Sequence, residues 1–240
     1  MRAAFSYFTI LPAGTTAAPD ADALAWLPLV GAVVGALAGG AAYAVALIAP
    51  HGLAVATAFG LTIILTGAIH LDGFLDCCDA LFASAPPARR LEILKDPHHG
   101  TFALAGFAVA GVAWLAALGV LAPASYPLAL AVSGAAARWS SVIHARWSPY
   151  ARADAPPALA QRPPMRVLAP SGGILLSLAA ALGAPKHAAG LAAALAALVA
   201  AAAALAFARA RLGGGLVGDA YGFAIVVAEV AALIVLAIFP

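Results

Sequence analysis

The amino-acid sequence predicts an all-α, polytopic integral membrane protein, and its bulk composition carries that prediction. The chain has 240 residues, of which 65% are hydrophobic and only 9% are charged, and its mean hydropathy is +1.02. A soluble domain carries about 25% charged residues, which cover its surface. The low charge therefore excludes a soluble enzyme, a nucleic-acid-binding protein and a disordered chain.

Seven apolar segments are long enough to be predicted as transmembrane helices, because a span needs about 20 predominantly apolar residues. They are 24–49, 52–69, 101–122, 126–143, 168–183, 188–208 and 220–239. The connections at 50–51, 123–125 and 184–187 are short, so the helices that they join are predicted to form hairpins. The sequence therefore predicts a single membrane domain over 1–240.

The charged residues are distributed unequally between the two sides of these seven spans. All Lys and Arg residues except Lys186 fall on the side of the N-terminus. Positively charged loops stay in the cytoplasm, so the N-terminus is predicted to be cytoplasmic. All acidic residues except Glu229 fall on that same side. A transporter usually places its ionisable groups near the midplane, and the distribution instead favours an enzyme with a cytoplasmic-face active site.

Residues 70–84 are predicted to form a helix that binds Mg²⁺. Asp72, Asp76 and Asp79 are spaced i, i+4 and i+7, which places the three carboxylates on one helical face. They repel one another unless a cation lies between them, and Mg²⁺ takes carboxylates, waters and substrate phosphates as ligands. A solvated acidic face is the alternative, which the scarcity of acids disfavours. His70 is either an interfacial hydrogen-bonding residue or a catalytic base.

The next polar segment is basic. Arg89, Arg90 and Lys95 follow the acidic helix, and basic residues near a carboxylate–metal site suit a diphosphate or a nucleotide. Anchoring of a positive loop at the membrane is the alternative. The pair His98-His99 has no Cys or His partners at the spacing of zinc ligands, so no zinc site is predicted.

A glycine-rich motif over 213–219 opens the last span, with Asp219 at the helix N-terminus. Glycines allow a close backbone approach, and the free N–H groups of a helix N-terminus bind anions. On the same side of the membrane as the acidic helix, this motif is predicted to bind phosphate. As the cap of a helix, Asp219 alone would be unremarkable.

These motifs resemble the cobalamin synthase family, and the acidic segment carries the likeness most specifically. Residues 70–79, HLDGFLDCCD, look like the family's acidic signature. Similarity continues in LEILKD at 91–96, Gly100-Thr101, Arg138, YAR at 150–152, GGLVGD at 214–219 and Glu229. The chain departs from the usual residues at Ile10, Ala80, Val217 and Val226. None of these departures removes an aspartate of the motifs.

The resemblance implies a Mg²⁺-dependent enzyme that joins adenosylcobinamide-GDP to α-ribazole, or to its 5′-phosphate, and releases GMP. It implies that Mg²⁺ is held by Asp72, Asp76, Asp79 and Asp219, and that Asp79 or His70 deprotonates the attacking 5′-hydroxyl. The residues assigned to substrate binding are Arg90, Glu92, Lys95, Arg138, Arg152 within a central basic loop over 144–167, Gly214, Gly215 and Gly218. The partners are these small molecules and the lipid bilayer, with no nucleic acid, and the sequence leaves a homo-oligomer open.

Two other classes of membrane protein compete with this interpretation. CDP-alcohol phosphotransferases also cluster aspartates at the membrane face, but Asp72-Gly73 is followed by neither the Ala-Arg pair nor the aspartate spacing of that class. The second alternative is a small-molecule or ion transporter that uses Glu229 as its intramembrane site. A single such acid is little for a translocation path.

Overall fold

The computed structural model describes residues 1–15, 19–151, 163–180 and 187–239, and every regular element in them is a helix. The α-helices are α1 Arg2–Phe8, α2 Leu27–Ala46, α3 His51–Leu65, α4 Ile69–Phe82, α5 Pro87–Ile93, α6 Thr101–Gly119, α7 Tyr126–Ala145, α8 Met165–Ala180, α9 His187–Arg211 and α10 Gly218–Ile238. Short 3₁₀ turns at Ala23–Trp26 and Pro123–Ser125 lead into α2 and α7. The predicted all-α class is confirmed.

Four segments of the described chain are long and apolar enough to cross a bilayer, so the protein is a multi-pass membrane protein. They are Ala23–Ala46, Thr101–Gly119, Ala188–Arg211 and Gly218–Ile238. The bent pair α3 and α4 raises the number to five only if it counts as one span.

The predicted number of seven spans is therefore not reached in the described residues. α7 is 20 residues long, but Arg138, His144 and three serines make it less apolar than the four spans. The segment predicted as 168–183 corresponds to α8, and its predicted end lies outside the described residues. The segment predicted as 52–69 breaks before its end, at Thr66.

The break between α3 and α4 is a Schellman turn. The N–H of Gly67 donates to the carbonyl of Ile64, and that of Ala68 to Ile63, both at 2.9 Å. This is the pairing by which a left-handed residue ends a helix, and both Gly67 (φ +56°) and Ala68 (φ +58°) are left-handed. As a result α4 leaves α3 at 90° and packs against α6 and α10.

The closest helix crossing joins α2 to α7. Gly31, Gly35 and Gly39 are spaced four apart on α2, and a Cβ at any of them would overlap backbone atoms of α7. The three glycines lie against Gly134, Leu130 and Tyr126. Lipid gives helices little hydrophobic reason to associate, so close backbone packing at small residues supplies the attraction.

α7 lies at the centre of the bundle and carries a buried ion pair. Arg138 is 2% exposed, and its Nη1 donates to the Gly134 carbonyl at 3.0 Å and to Glu229 of α10 at 3.3 Å. The Trp114 indole also donates to Glu229 at 3.3 Å. Glu229 is therefore neutralised inside the bundle, which argues against its use as an open ion site.

We expect loss of one member of this pair to be costly. Glu229→Leu leaves the Arg138 charge buried and uncompensated, which destabilises a protein by about 3–5 kcal/mol. The double variant Arg138→Met/Glu229→Leu removes both charges and should recover most of that loss. Unfolding of the purified variants in detergent measures the coupling, and additive losses would contradict the ion pair.

Candidate functional site

The acidic face of α4 lies against the N-terminus of α10. Gly73 makes this contact possible, because a Cβ there would lie 3.0 Å from Asp219 Cα and 3.0 Å from its carbonyl oxygen. On the buried face, the ring of Phe74 stacks on that of Phe223 with centroids 5.5 Å apart. The crossing therefore brings Asp219 beside Asp72 and Asp76, which lie 147 and 143 positions earlier in the sequence.

Asp72, Asp76 and His99 form the closest group of metal-ligating side chains in the described residues. One ligand atom of each lies within 4.8 Å of those of the other two, and His99 Nδ1 is 3.5 Å from Asp76 Oδ1. Asp72 is exposed and Asp76 is half-buried. His99 is not predicted as a site residue from sequence, because its partners are the carboxylates of Asp72 and Asp76, which only the fold brings near.

The environment of Asp76 disfavours its negative charge. Burial, together with the carboxylates of Asp72 and Asp219, raises the pKa of Asp76 from 3.8 to about 6. Neighbouring His99 opposes that rise and Asp79 adds slightly to it. A carboxyl group held among like charges in this way favours a bound cation.

Asp79 caps the N-terminus of α6. Its Oδ2 accepts a hydrogen bond from the N–H of Gly100 and its Oδ1 accepts one from the N–H of Ala103 at 3.0 Å. The first turn of a helix has free N–H groups and a partial positive charge, both of which favour a carboxylate. Since His99 immediately precedes Gly100, this cap also fixes His99 over Asp76.

Replacement of Asp79 should therefore affect stability as well as activity. We expect Asp79→Ala to lose about 1 kcal/mol, the usual cost of removing a helix cap, in EDTA as well as in Mg²⁺. Thermal unfolding in detergent under both conditions measures this. Unchanged stability together with lost activity would instead assign Asp79 to the chemistry alone.

Two arginines cap the other end of α4. Arg90 donates to the carbonyls of Ala83 and Arg211, both at 3.0 Å. Arg211 donates to the carbonyls of Leu81 at 2.8 Å and Ala83 at 3.2 Å. Both side chains satisfy carbonyl groups at helix ends, so the structure places Arg90 at the C-terminal end of α4 and not on its acidic face.

The remaining charged residues of the predicted site are dispersed. Glu92 pairs with Arg89 at 2.7 Å on an exposed turn, Lys95 is exposed, and Arg138 pairs with Glu229 inside the bundle. Arg152 and residues 153–162 of the central basic loop lie outside the described residues. Of the predicted cations that the structure describes, Arg89 and Lys95 are exposed to solvent, and Arg89 is paired with Glu92.

The glycine-rich motif turns the chain from α9 into α10. Gly213 (φ +82°) and Gly214 (φ +102°) adopt left-handed conformations, and Arg209 Nε donates to the Gly214 carbonyl at 2.9 Å. Gly215 lies against Ala151, and Leu216 exchanges backbone hydrogen bonds with Pro149 and Ala151. The turn thus fixes the start of the central basic loop beside Gly218 and Asp219.

Comparison with known proteins identifies the family of the chain. The sequence model of a family described as cobalamin-5-phosphate synthase matches residues 1–237. The adenosylcobinamide-GDP ribazoletransferase of Deinococcus radiodurans is 36% identical over 221 residues, covering 89% of this chain and 74% of that protein. The protein of the same name from Bradyrhizobium diazoefficiens is 36% identical over 200 residues, covering 80% and 76%. No solved structure is significantly similar to the chain.

Proposed function

The chain belongs to the cobalamin-5-phosphate synthase family and is an enzyme of cobalamin synthesis, and we propose that it transfers a substituted phosphoryl group to a nucleoside in a Mg²⁺-dependent reaction. It joins adenosylcobinamide-GDP to α-ribazole, or to α-ribazole 5′-phosphate, and releases GMP. The observation that supports the reaction is the cluster of Asp72, Asp76 and His99 beside Asp219. Transfer of a phosphoryl group depends mainly on positioning and on charge neutralisation, which such a cluster serves.

The donor set fits a hard divalent cation. Asp72, Asp76 and Asp219 supply the oxygen ligands that Mg²⁺ prefers, and the exposure of Asp72 leaves room for waters and substrate phosphates. Mg²⁺ bound there would neutralise the diphosphate and stabilise the charge that develops on the leaving group. The imidazole of His99 is a poorer ligand for Mg²⁺ than a carboxylate. We therefore assign His99 the role of orienting the Asp76 carboxylate, since its Nδ1 lies 3.5 Å from Asp76 Oδ1.

The attacking atom is the 5′-hydroxyl oxygen of α-ribazole. It forms a bond to the phosphorus that carries the cobinamide, the bond from that phosphorus to the oxygen of GMP breaks, and GMP leaves with the electron pair. The hydroxyl proton goes to a base, for which the sequence offers Asp79 and His70. Both Asp79 oxygens accept backbone hydrogen bonds, so we assign the proton to the His70 imidazole.

Phosphate binding falls to the basic residues that remain near the cytoplasmic face. We assign Lys95 and Arg152 to the diphosphate, and the backbone of Gly218 at the α10 N-terminus to one phosphate oxygen. Glu92, Gly214 and Gly215 act by holding their turns. Arg90 and Arg138 act through the helices that they fix. We further place the acidic face in the cytoplasm and the protein in the bacterial inner membrane, since most basic residues flank that face.

The reaction itself is the test of this proposal. Protein purified in detergent should release GMP from adenosylcobinamide-GDP only when both α-ribazole and Mg²⁺ are present, and EDTA should abolish the release. Mass spectrometry of the cobamide product identifies whether α-ribazole or its phosphate was joined. GMP release at the same rate with and without α-ribazole would contradict the proposal. Transport of a small molecule or an ion into sealed vesicles without GMP release would contradict it as well.

A further inference from the structure

A cavity of about 160 Å³ lies beside the acidic face, between α1, the start of α2, α4, α7 and α10. Part of its wall is apolar and is formed by Phe8, Leu24 and Leu27, which belong to one packed cluster. The carboxylate residues Asp72 and Asp219 also line the cavity. A ligand that fills this cavity therefore has an apolar part and a part that carries hydroxyl groups.

His70 also lines this cavity and has an unused hydrogen-bonding group. Its ring stacks on that of Phe8, with centroids 5.9 Å apart and planes 27° apart, and the residue is only 8% exposed. Its Nε2 atom is buried, and no described residue hydrogen-bonds to it. Buried polar atoms are nearly always paired, so a ligand atom is the missing partner.

A second cavity next to His70 is a poorer candidate for the same ligand. It has a volume of about 70 Å³ and is lined by Phe59, Phe107 and Trp114, with neither Asp72 nor Asp219 in its wall. A cavity of about 150 Å³ is known to hold one benzene molecule. Of these two cavities next to His70, only the first is large enough for an aromatic ring, and only the first adjoins the acidic face.

We propose that the 160 Å³ cavity binds the nucleoside substrate, with its flat heteroaromatic base against Phe8 and its ribose at Asp72 and Asp219. The inference rests on the proposed function and extends it by assigning α1 and α2 to recognition of the base. A benzimidazole-type base is largely apolar and keeps one ring nitrogen as a hydrogen-bond acceptor. His70 Nε2 would accept a hydrogen bond from the ribose 5′-hydroxyl, whose proton the proposed reaction transfers to it, and that hydroxyl would also face the metal cluster.

The test compares three aromatic residues under steady-state kinetics. Stacking of a base on an aromatic side chain contributes about 1–3 kcal/mol, so Phe8→Ala should raise KM for α-ribazole about tenfold, with KM for adenosylcobinamide-GDP unchanged. Phe5→Ala removes the same ring from α1 outside the cavity. Phe107→Ala removes one from the smaller cavity. Neither control should change KM for α-ribazole.

A second variant and a binding measurement keep the test decisive. Phe8 is buried, so Phe8→Leu, which preserves packing, replaces Phe8→Ala if the latter does not fold, and it should raise KM about threefold. α-Ribazole alone should also raise the thermal midpoint of the wild-type protein, and less so that of the Phe8 variant. An unchanged KM, or an equal rise in Phe107→Ala, overturns the inference while GMP release by the wild type stands. Absence of that release defeats the proposed function instead.

Discussion

Gly35→Ala should leave little folded protein. The added methyl group would overlap the carbonyl of Leu130 on α7, and a backbone atom in the middle of a helix cannot move aside without separating the two helices. Overpacking a well-fitted core costs about 1–3 kcal/mol and at times more, and this contact lies in the middle of the most extensive helix pair. We expect a loss of about 3 kcal/mol or more, measured by thermal or denaturant unfolding in detergent.

Gly40→Ala is the matched control, since it makes the same change on the same helix. A Cβ at Gly40 meets nothing within 4 Å, and alanine is favoured over glycine inside a helix by about 0.5–1 kcal/mol. The control should therefore be as stable as the wild type or slightly more so. Equal stability of the Gly35→Ala and Gly40→Ala variants would contradict the close packing of α2 against α7.

Asp76→Asn should have the largest effect on activity. The substitution keeps the shape of the side chain but removes a charged ligand from the cluster with Asp72 and His99. A bound cation supplies several kcal/mol of charge stabilisation, and about 1.4 kcal/mol corresponds to a factor of ten in rate, so we expect a loss of about 10³-fold in kcat/KM. Asp96→Asn is the control, because Asp96 is exposed and pairs with His98 outside the cluster. Near-normal activity of Asp76→Asn with unchanged Mg²⁺ dependence would contradict the metal site.

The same substitution should alter the dependence of stability on pH. The pKa of Asp76 is raised from 3.8 to about 6 in the folded protein, so the folded state binds this proton more tightly than the unfolded chain does. Without Mg²⁺, the resulting stabilisation is fully present below about pH 4 and is lost as the pH rises through 6. Thermal midpoints in EDTA at pH 5 and 7.5 should therefore differ less in Asp76→Asn. An identical difference in both proteins would argue against the raised pKa.

The local features of the site follow from sequence. The helix predicted over 70–84 is observed as α4, Ile69–Phe82, because the i, i+4, i+7 spacing and the prolines that follow it act within a few residues. Glycines at 213 and 214 were likewise sufficient to indicate a turn before the last span. These predictions need no knowledge of which helices meet.

The long-range features do not follow from sequence in the same way. Apolar periodicity continues smoothly through Thr66, Gly67 and Ala68, so the segment was predicted as one span although Gly67 supplied a signal for a helix end. The helix-capping role of Asp79 and the position of His99 beside Asp76 depend on the start of α6 lying against α4, which the sequence does not indicate. Arg90 has the same sequence signature whether it binds a phosphate or a helix carbonyl, and only its position at the end of α4 distinguishes the two.

The two-arginine cap of α4 has a consequence for biogenesis. The donors that complete the C-terminal end of α4 come from Arg90 nearby and from Arg211, which lies 130 residues beyond its acceptor Leu81. During synthesis, α4 therefore emerges and enters the membrane long before Arg211 exists. The acidic face can reach its final geometry only after α9 has been inserted, so a nascent chain lacking its last two helices carries all three α4 aspartates but not an assembled active site.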